Sequence, residues 1–198
     1  MSDSPLDAGS AGSWEGGGTF TLRNRIYRLV FQLCWALLAS WTPPFMHPWR
    51  CWLLRCFGAQ VAPTAFIYGS VRIWYPPNLR VDDFGTLAPG VTAYTMAPIH
   101  IGAYAIVSQG AHLCAGTHDI ESPHFQLFSR PITIEPRAWV AAEAFVGPGV
   151  TIGEGAVLGA RGVAMRNLDA WGVYTGNPAT KLRERKLRFA PSPPRQEA

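Results

Sequence analysis

The feature that most constrains this chain is an aliphatic residue that recurs at every sixth position after residue 60. The series slips by two residues twice, each time after a third repeat, and one longer gap interrupts it. Four positions after each of these residues, with one exception, the side chain is small or compact. The aliphatic positions are Val61, Ile67, Ile73, Val81, Leu87, Ala93, Ile101, Val107, Leu113, Ile134, Val140, Val146, Ile152, Leu158 and Ala164.

This period predicts the fold. One aliphatic and one small inward residue in each six-residue unit are what a three-sided parallel β-coil requires, with three units in a turn of about 18 residues. Five turns result, at 61–78, 81–98, 101–118, 134–151 and 152–169. An α/β fold is excluded because no amphipathic helix of ten or more residues fits between the strands. We therefore predict an all-β, parallel β-helix of about five turns within residues 59–180.

The segments ahead of the coil have a different composition. Residues 1–20 are rich in Gly, Ser and Asp, which predicts disorder. Residues 21–58 predict two helices, Ile26–Trp41 and Trp49–Phe57, separated by two prolines. The first helix, at about 16 residues, is shorter than the roughly 20 needed to span a bilayer. A helix lying in the membrane interface and a helix packed against the protein both fit, so contact with a membrane surface through 22–57 stays open.

Two further segments depart from the six-residue period. Residues 119–133 follow the third turn and predict a loop ejected from a rigid scaffold, where binding residues commonly lie. Residues 181–198 predict a basic C-terminal helix, which caps the open end of the coil, and a tail.

Charge and cysteine content exclude several function classes. Residues 181–188 hold five basic residues and one acidic residue, 5 − 1 = +4, which equals the net charge of the whole chain. Nucleic-acid binding, which needs basic residues spread over a face, is excluded; a small polyanion or a solvated helix both explain the cluster. With 48% apolar and 15% charged residues, some apolar surface is expected to meet a partner or a membrane. Four cysteines without a C-x-x-C pair favour a reducing, cytosolic setting.

Several residues around the ejected loop could perform chemistry. His118 ends the third turn, and a histidine held there can take a proton from a hydroxyl near neutral pH, although a solvent-facing histidine also explains it. Cys114 is a candidate nucleophile or a structural thiol. Asp119, Glu121 and His124 either contact an acceptor or hydrate the loop. Trp139, on an outward position, is a subunit contact or a stacking wall for a ligand.

Sequence motifs then point to a family. They are the hexads, the Ala-Gly-Thr-His-Asp run at 115–119, the segment 139–153 and the Gly-Asn-Pro-Ala turn at 176–179. Together they resemble the hexapeptide-repeat acyltransferases over about residues 25–188. The run 72–79 and the Trp- and Arg-rich segment ahead of Gly58 are most similar to the colanic-acid biosynthesis O-acetyltransferases within that family.

The resemblance implies a homotrimer of left-handed β-helices with acetyl-CoA in the groove between adjacent subunits. His118 would be the general base that activates a carbohydrate hydroxyl for direct attack on the thioester. The acceptor would be a sugar nucleotide, lipid-linked sugar or oligosaccharide, and we predict from their place in the loop that Asp119 and His124 bind it. The enzyme would act in the cytoplasm or at the inner face of the cytoplasmic membrane, in surface-polysaccharide synthesis. The positions that match cofactor contacts are Trp139, Ala142, Ala160, Arg166, Asn177 and Arg183.

This chain also departs from the family pattern. Ala88 and Met96 stand near places where galactoside and maltose acetyltransferases have sugar-binding Asn and Asp, so the acceptor is not transferable from those relatives. Met165 and Thr180 also differ from the residues expected beside the cofactor. Two other functions remain as alternatives: a zinc enzyme like the γ-class carbonic anhydrases, which hold the metal with three histidines between subunits, and a non-catalytic scaffold. For the first, the histidine spacing places successive side chains on different sides of the prism, and we predict no metal site.

Overall fold

The computed structural model describes residues 20–187, which form a β-solenoid preceded by two helices. The predicted disorder of residues 1–20 falls, except for Phe20, outside the described residues, and so does the tail beyond residue 187. The helices are α1 (Leu22–Leu38) and α2 (His47–Cys56), and nineteen short strands, numbered β1 to β19 in chain order, follow within the described range.

All strands except β10 and β11 stack into three sheets, which are the three sides of the solenoid and are parallel except for β19. Sheet A contains β1 (Gln60–Val61), β4 (Leu79–Val81), β7 (Ile99–Ile101), β12 (Ile132–Ile134) and β15 (Thr151–Ile152). Sheet B contains β2 (Phe66–Ile67), β5 (Thr86–Leu87), β8 (Ile106–Val107), β13 (Trp139–Val140), β16 (Val157–Leu158), β18 (Gly172–Thr175) and β19 (Thr180–Glu184). Sheet C contains β3 (Arg72–Ile73), β6 (Thr92–Tyr94), β9 (His112–Cys114), β14 (Phe145–Val146) and β17 (Val163–Ala164).

The strand register reproduces the aliphatic series predicted from the sequence. In sheet A, Val61 pairs with Val81, Val81 with Ile101, Ile101 with Ile134, and Ile134 with Ile152. All fifteen positions of the series are buried. The predicted parallel β-helix is therefore confirmed. Above the five complete coils, β18 and the turn that follows it form a partial sixth coil.

The interior rows of aliphatic side chains predict where the fold is most sensitive. Ile134 is fully buried in sheet A, whereas Ile120, in the ejected segment, is 77% exposed. Replacing Ile134 by alanine leaves a cavity that neighbouring coils cannot fill, so we expect a loss of about 2–5 kcal/mol of unfolding free energy. Ile120→Ala, the matched control, should change it by about 0.5 kcal/mol or less. Denaturant unfolding measures the unfolding free energy of the two variants, and equal losses would contradict the burial of this row of aliphatic side chains.

The helices lie at the N-terminal end of the coil. Thr21 caps α1 through its side-chain oxygen, which accepts the Asn24 main-chain N–H, so the helix begins earlier than predicted. The inward side of α1 carries Phe31 and Trp35, and the Trp35 indole donates to the Gly69 carbonyl of the first coil. Within residues 20–187, no helix has both the length and the apolarity needed to cross a membrane.

Helix α2 packs on β1 and β2 and buries a complete arginine. The Arg50 side chain is 0% exposed and donates to the main-chain carbonyls of Thr42, Pro43, Pro44 and Ile67 at 2.5–3.2 Å. It also donates to the Thr42 hydroxyl. Arg50 therefore ties the turn between the helices to the first coil.

The predicted basic C-terminal helix is wrong. Residues 180–184 form strand β19, which runs antiparallel to β18 at the edge of sheet B. Lys, Arg, Leu and Glu favour a helix, but the free edge of β18 offers main-chain partners that an isolated short helix would lack. The basic residues therefore line the edge of a sheet rather than a helix, and Arg188 lies outside the described residues.

Candidate active site

The corner between sheets C and A is where the chain leaves the regular coil. In the first two coils this corner holds a few extra residues, and Thr95 fixes it by exchanging hydrogen bonds with the main chain of Tyr75. In the third coil the same corner extends into an antiparallel hairpin formed by β10 (Gly116–His118) and β11 (Leu127–Ser129). The ejected loop predicted at 119–133 is therefore corrected: the hairpin starts at Gly116, and the coil resumes with β12 at Ile132.

His118 is the last residue of β10, at the exposed end of this hairpin. Its Nδ1 lies 2.8 Å from the main-chain carbonyl oxygen of Phe125, and its ring stacks on the Phe125 ring with centroids 4.4 Å apart. Because a carbonyl oxygen only accepts hydrogen bonds, Nδ1 must carry the hydrogen and donate it. The Nε2 atom then keeps its lone pair, and the ring is held in the tautomer that can accept a proton there.

The turn of the hairpin is organised by its own polar groups. The main-chain N–H of Asp119 donates to the Gln126 carbonyl, and one carboxylate oxygen of Asp119 accepts the main-chain N–H of Glu121. The main-chain N–H of His124 donates to the Ser122 hydroxyl. Asp119 and His124, the predicted acceptor-binding residues, thus share an exposed turn with His118.

Tyr94 and Met96 lie beneath the hairpin. Both are partly buried, and they leave so little room at Gly116 that a Cβ atom there would contact both side chains. Cys114 donates from Sγ to the Gly116 carbonyl at 3.2 Å, and burial raises the pKa of its thiol. A thiol with a raised pKa is a poor nucleophile, so the structural interpretation of Cys114 is favoured.

Trp139 is half-exposed on the outward face of sheet B, between Ile106 and Val157. Its indole N–H donates to the Ser108 hydroxyl at 2.9 Å, which fixes the plane of the ring. Ser108, which is one coil away from Trp139, was not among the predicted site residues. A large flat surface is therefore held rigidly on this side of the solenoid.

Ala142 and Ala160 occupy equivalent places on successive coils, at the corner between sheets B and C. No residue between 20 and 187 accepts either of their main-chain N–H groups. Unpaired N–H groups on a solvent-facing corner fit the carbonyls of a pantetheine arm, which need donors.

The basic and polar positions predicted for the cofactor lie near the C-terminal end of the coil. Arg183 is exposed on β19, opposite Val173 of β18. Asn177 lies in the exposed turn above β17, where the main chain of Gly176 and Ala179 bonds to Val163. Arg166 follows β17 and is exposed at the corner between sheets C and A.

The structure brings these residues together in two groups. His118, Asp119 and His124 lie at the corner between sheets C and A. The donor-site candidates, except Arg166, lie on sheet B or at its border with sheet C. In a triangular cross-section the corner between sheets C and A lies opposite sheet B, so one subunit does not bring the two groups into contact.

The histidines of the coil are separated in the same way. His100, on sheet A, lies 2.7 Å from an Asp82 carboxylate oxygen, and His112, on sheet C, packs edge-on against Phe145. Burial lowers the pKa of His112. Among the described residues, no group of three or more His, Cys, Asp or Glu is placed to hold a metal ion.

Comparison with known proteins identifies the fold and the family. No family profile matches the chain. Its fold is similar to that of a hexapeptide-repeat acetyltransferase from Vibrio cholerae solved with acetyl-CoA, with a TM-score of 0.74, 20% identity, and coverage of 87% of this chain and 94% of that one. A galactoside acetyltransferase solved with coenzyme A gives a TM-score of 0.73 and 21% identity, over 87% and 90% of the two chains.

In sequence, the chain is 43% identical over 157 residues to the colanic acid biosynthesis acetyltransferase WcaF of Escherichia coli K12, covering 78% of this chain and 86% of that protein. The chain belongs to the hexapeptide-repeat acetyltransferases.

Membership in the hexapeptide-repeat acetyltransferases confirms three of the predictions made from the sequence. The chain is an enzyme, an acyltransferase, and its acyl donor is acetyl-CoA. The β-helix class is confirmed as well. The acceptor, the subunit assembly and the roles of the individual site residues do not follow from membership and remain predictions.

Proposed function

We propose that this acetyltransferase transfers the acetyl group of acetyl-CoA to a carbohydrate hydroxyl in surface-polysaccharide synthesis, with His118 as general base. The observation that carries the proposal is the hydrogen bond from His118 Nδ1 to the Phe125 carbonyl, which leaves Nε2 able to accept a proton. The similarity to WcaF, whose name describes colanic acid biosynthesis, supports a polysaccharide acceptor.

In this mechanism, His118 takes the proton of the acceptor hydroxyl while the oxygen attacks the thioester carbonyl carbon. A carbon–oxygen bond forms and the carbon–sulfur bond breaks, so an acetyl ester and coenzyme A result. His118 then returns the proton to the departing sulfur, and the ring is neutral again. Asp119 and His124, on the same exposed turn, would contact the acceptor sugar.

For the donor site we propose Trp139 as a wall of the pantetheine channel and the Ala142 and Ala160 N–H groups as hydrogen-bond donors to the pantetheine arm. Arg166 and Arg183 would meet the phosphates of coenzyme A, since guanidinium groups pair well with phosphate. Asn177 would lie beside the cofactor in the turn of residues 176–179.

We further propose that the site forms between subunits of a homotrimer. The two groups of site residues lie on opposite sides of one subunit, and a neighbouring copy would bring a second sheet B against the first copy's hairpin. Sheet B carries a row of half-exposed apolar side chains on its outward face, Phe66, Ile106 and Trp139, which suits a subunit contact. The four free cysteines fit the reducing cytoplasm, where we expect the enzyme to act.

The proposal is tested with the purified full-length chain, acetyl-CoA and candidate sugar acceptors. Coenzyme A release is followed, and the product is examined by mass spectrometry for an acetyl ester. Sedimentation velocity should give the mass of three chains. Absence of coenzyme A binding at millimolar ligand in calorimetry would instead support the non-catalytic scaffold, and coenzyme A release without an acetyl ester would contradict a carbohydrate acceptor.

The donor site predicts a specific effect of Trp139→Ala. Loss of the indole wall should raise the KM for acetyl-CoA about tenfold, because burying an aromatic ring contributes about 1–2 kcal/mol to binding. The rate at saturating acetyl-CoA should stay within about twofold. Trp52→Ala is the matched control, since Trp52 has a similar exposure but lies on α2. An equal rise in KM in the two variants would exclude Trp139 from the donor site.

A further inference from the structure

Helix α1 has an apolar face that is largely exposed to solvent in the described part of the chain. Six of its aliphatic side chains are between 46% and 70% exposed. With 3.6 residues per turn, they fall within an arc of about 100° along the whole helix. They are Leu22, Ile26, Leu29, Val30, Leu33 and Leu37. We call this set the apolar stripe.

The apolar stripe is not the surface that holds α1 on the protein. The opposite side of the helix holds it on the protein, because Phe31 and Trp35 are buried there and Tyr27 packs edge-on against Phe57 and Tyr75. A contiguous exposed stripe of this length is rare on a soluble surface and marks a site of interaction.

Aromatic side chains extend the apolar stripe beyond the end of α1. Trp41 is 73% exposed and Phe45 is 79% exposed, both in the connection to α2. Trp52, on α2, is half-exposed and stacks on Trp49 at a centroid distance of 5.0 Å. Tryptophan is enriched where a protein meets the boundary between lipid headgroups and acyl chains.

The charges around the apolar stripe are of one sign. Residues 20–81 contain seven arginines and not a single Asp, Glu or Lys. Arg28 lies over the Trp74 ring and Arg50 is buried, but Arg23 and Arg25 are exposed on α1. At helical spacing, Arg23 and Arg25 flank the stripe on its two sides. Long arginine side chains in these positions can reach phosphate groups while the stripe enters an apolar layer.

The position of α1 keeps this face away from the proposed donor site. Helix α1 packs on α2 and the first coil, whereas Trp139, Ala142 and Ala160 belong to the fourth and fifth coils. The stripe is therefore available while the donor site is occupied.

We infer that residues 22–52 are an interfacial anchor that binds the surface of an anionic phospholipid bilayer. The apolar stripe and Trp41 enter the boundary between headgroups and acyl chains, and Arg23 and Arg25 pair with lipid phosphates. A neutral protein partner would explain the stripe but not the one-signed charge beside it. This anchor does not depend on the chemistry proposed for His118.

The test is sedimentation of the full-length protein with vesicles. We expect binding to vesicles that contain phosphatidylglycerol, and weaker binding to pure phosphatidylcholine. Raising the salt concentration should weaken binding to the phosphatidylglycerol vesicles, because salt screens the charge of the arginines. The variant Arg23→Gln/Arg25→Gln should bind anionic vesicles about 25-fold more weakly, at about fivefold for each arginine. The variant Arg23→Lys/Arg25→Lys, which keeps the charge, should bind within about twofold of wild type.

The apolar part is tested separately by Leu29→Gln/Leu33→Gln, with Leu29→Met/Leu33→Met as the matched control. We expect the glutamine pair to lose at least about tenfold in vesicle affinity and the methionine pair to retain it. Both leucines are exposed, so thermal unfolding should be unchanged and shows that the variants are folded. Vesicle binding that survives in the glutamine pair, or its absence in wild type, overturns the inference. The inference is also overturned if wild type forms a particle larger than the basic oligomer and the glutamine substitutions dissociate that particle, since the stripe would then join copies of this chain.

Discussion

His118→Ala should lower the rate of acetyl transfer at saturating substrates by about 10²–10⁴, the usual contribution of a positioned general base. The affinity for coenzyme A should be unchanged within about twofold, because His118 acts on the acceptor hydroxyl in this mechanism and supplies none of the proposed donor-site contacts. Steady-state coenzyme A release and calorimetry measure the two quantities.

A second variant separates catalysis from the structural role of the ring. In His118→Asn, the side-chain amide can still donate to the Phe125 carbonyl, but it cannot accept a proton. We expect it to be as inactive as the alanine variant and to keep the thermal stability of wild type. Substantial activity in the asparagine variant would show that His118 only holds the hairpin together.

Arg50→Met should produce the largest loss of stability among the arginine variants, about 3–5 kcal/mol. Methionine has a comparable stem but no donor, so the carbonyls of Thr42, Pro43, Pro44 and Ile67 would each lose the hydrogen bond that they accept from the guanidinium. The carbonyls of Pro43 and Ile67 would keep the Met46 N–H and His47 Nδ1 as partners. For a protein of this size, the midpoint of thermal unfolding should fall by about 10 °C. Circular dichroism during heating measures the shift.

The matched control lies on the same helix. Arg55 is exposed and donates to one carbonyl, that of Val61 at 3.0 Å. Arg55→Met should cost about 1 kcal/mol or less, since water can replace the lost donor. Equal midpoints for Arg50→Met and wild type would mean that water reaches the freed carbonyls, and the described burial of Arg50 would be wrong.

The coil could be predicted from the sequence because its burial is local and periodic. A position such as Val107 is inward for the same reason as Val140 one coil later, so a short stretch of sequence predicts its neighbours. Small residues at the corners, such as Ala105 and Ala138, carry the same information. The third coil broke the pattern visibly, which is why the region of the ejected hairpin was also predictable.

The features that could not be predicted depend on contacts with other segments of the folded chain. The segment at 180–184 has helix-favouring composition, and only the exposed edge of β18 makes it a strand. Nothing near Arg50 in the sequence indicates burial, because its main-chain acceptors come from the turn at 42–44 and from strand β2, which only the folded chain brings around it. By contrast, the sequence does show that residues 20–81 lack Asp and Glu, and this absence indicates that the charged residues of the N-terminal helices are all basic.

The orientation of His118 lies between these cases. The residue was predicted as a candidate base, but its partner Phe125 is seven positions away and is brought back by the hairpin. An antiparallel hairpin centred near residue 122 would have predicted that contact, had β10 and β11 been recognised as strands. The loop was instead predicted without internal structure.

The two ends of the solenoid bear on how copies of the protein can associate. A column of parallel strands that ended in bare edges could be continued by the next molecule, as in a growing fibre. At the lower end, α2 lies on β1 and β2, and at the upper end β19 turns back antiparallel with charged Lys181 and Arg183. Lengthwise polymerisation is thereby opposed at both termini of the column, which leaves sideways association as the route to an assembly.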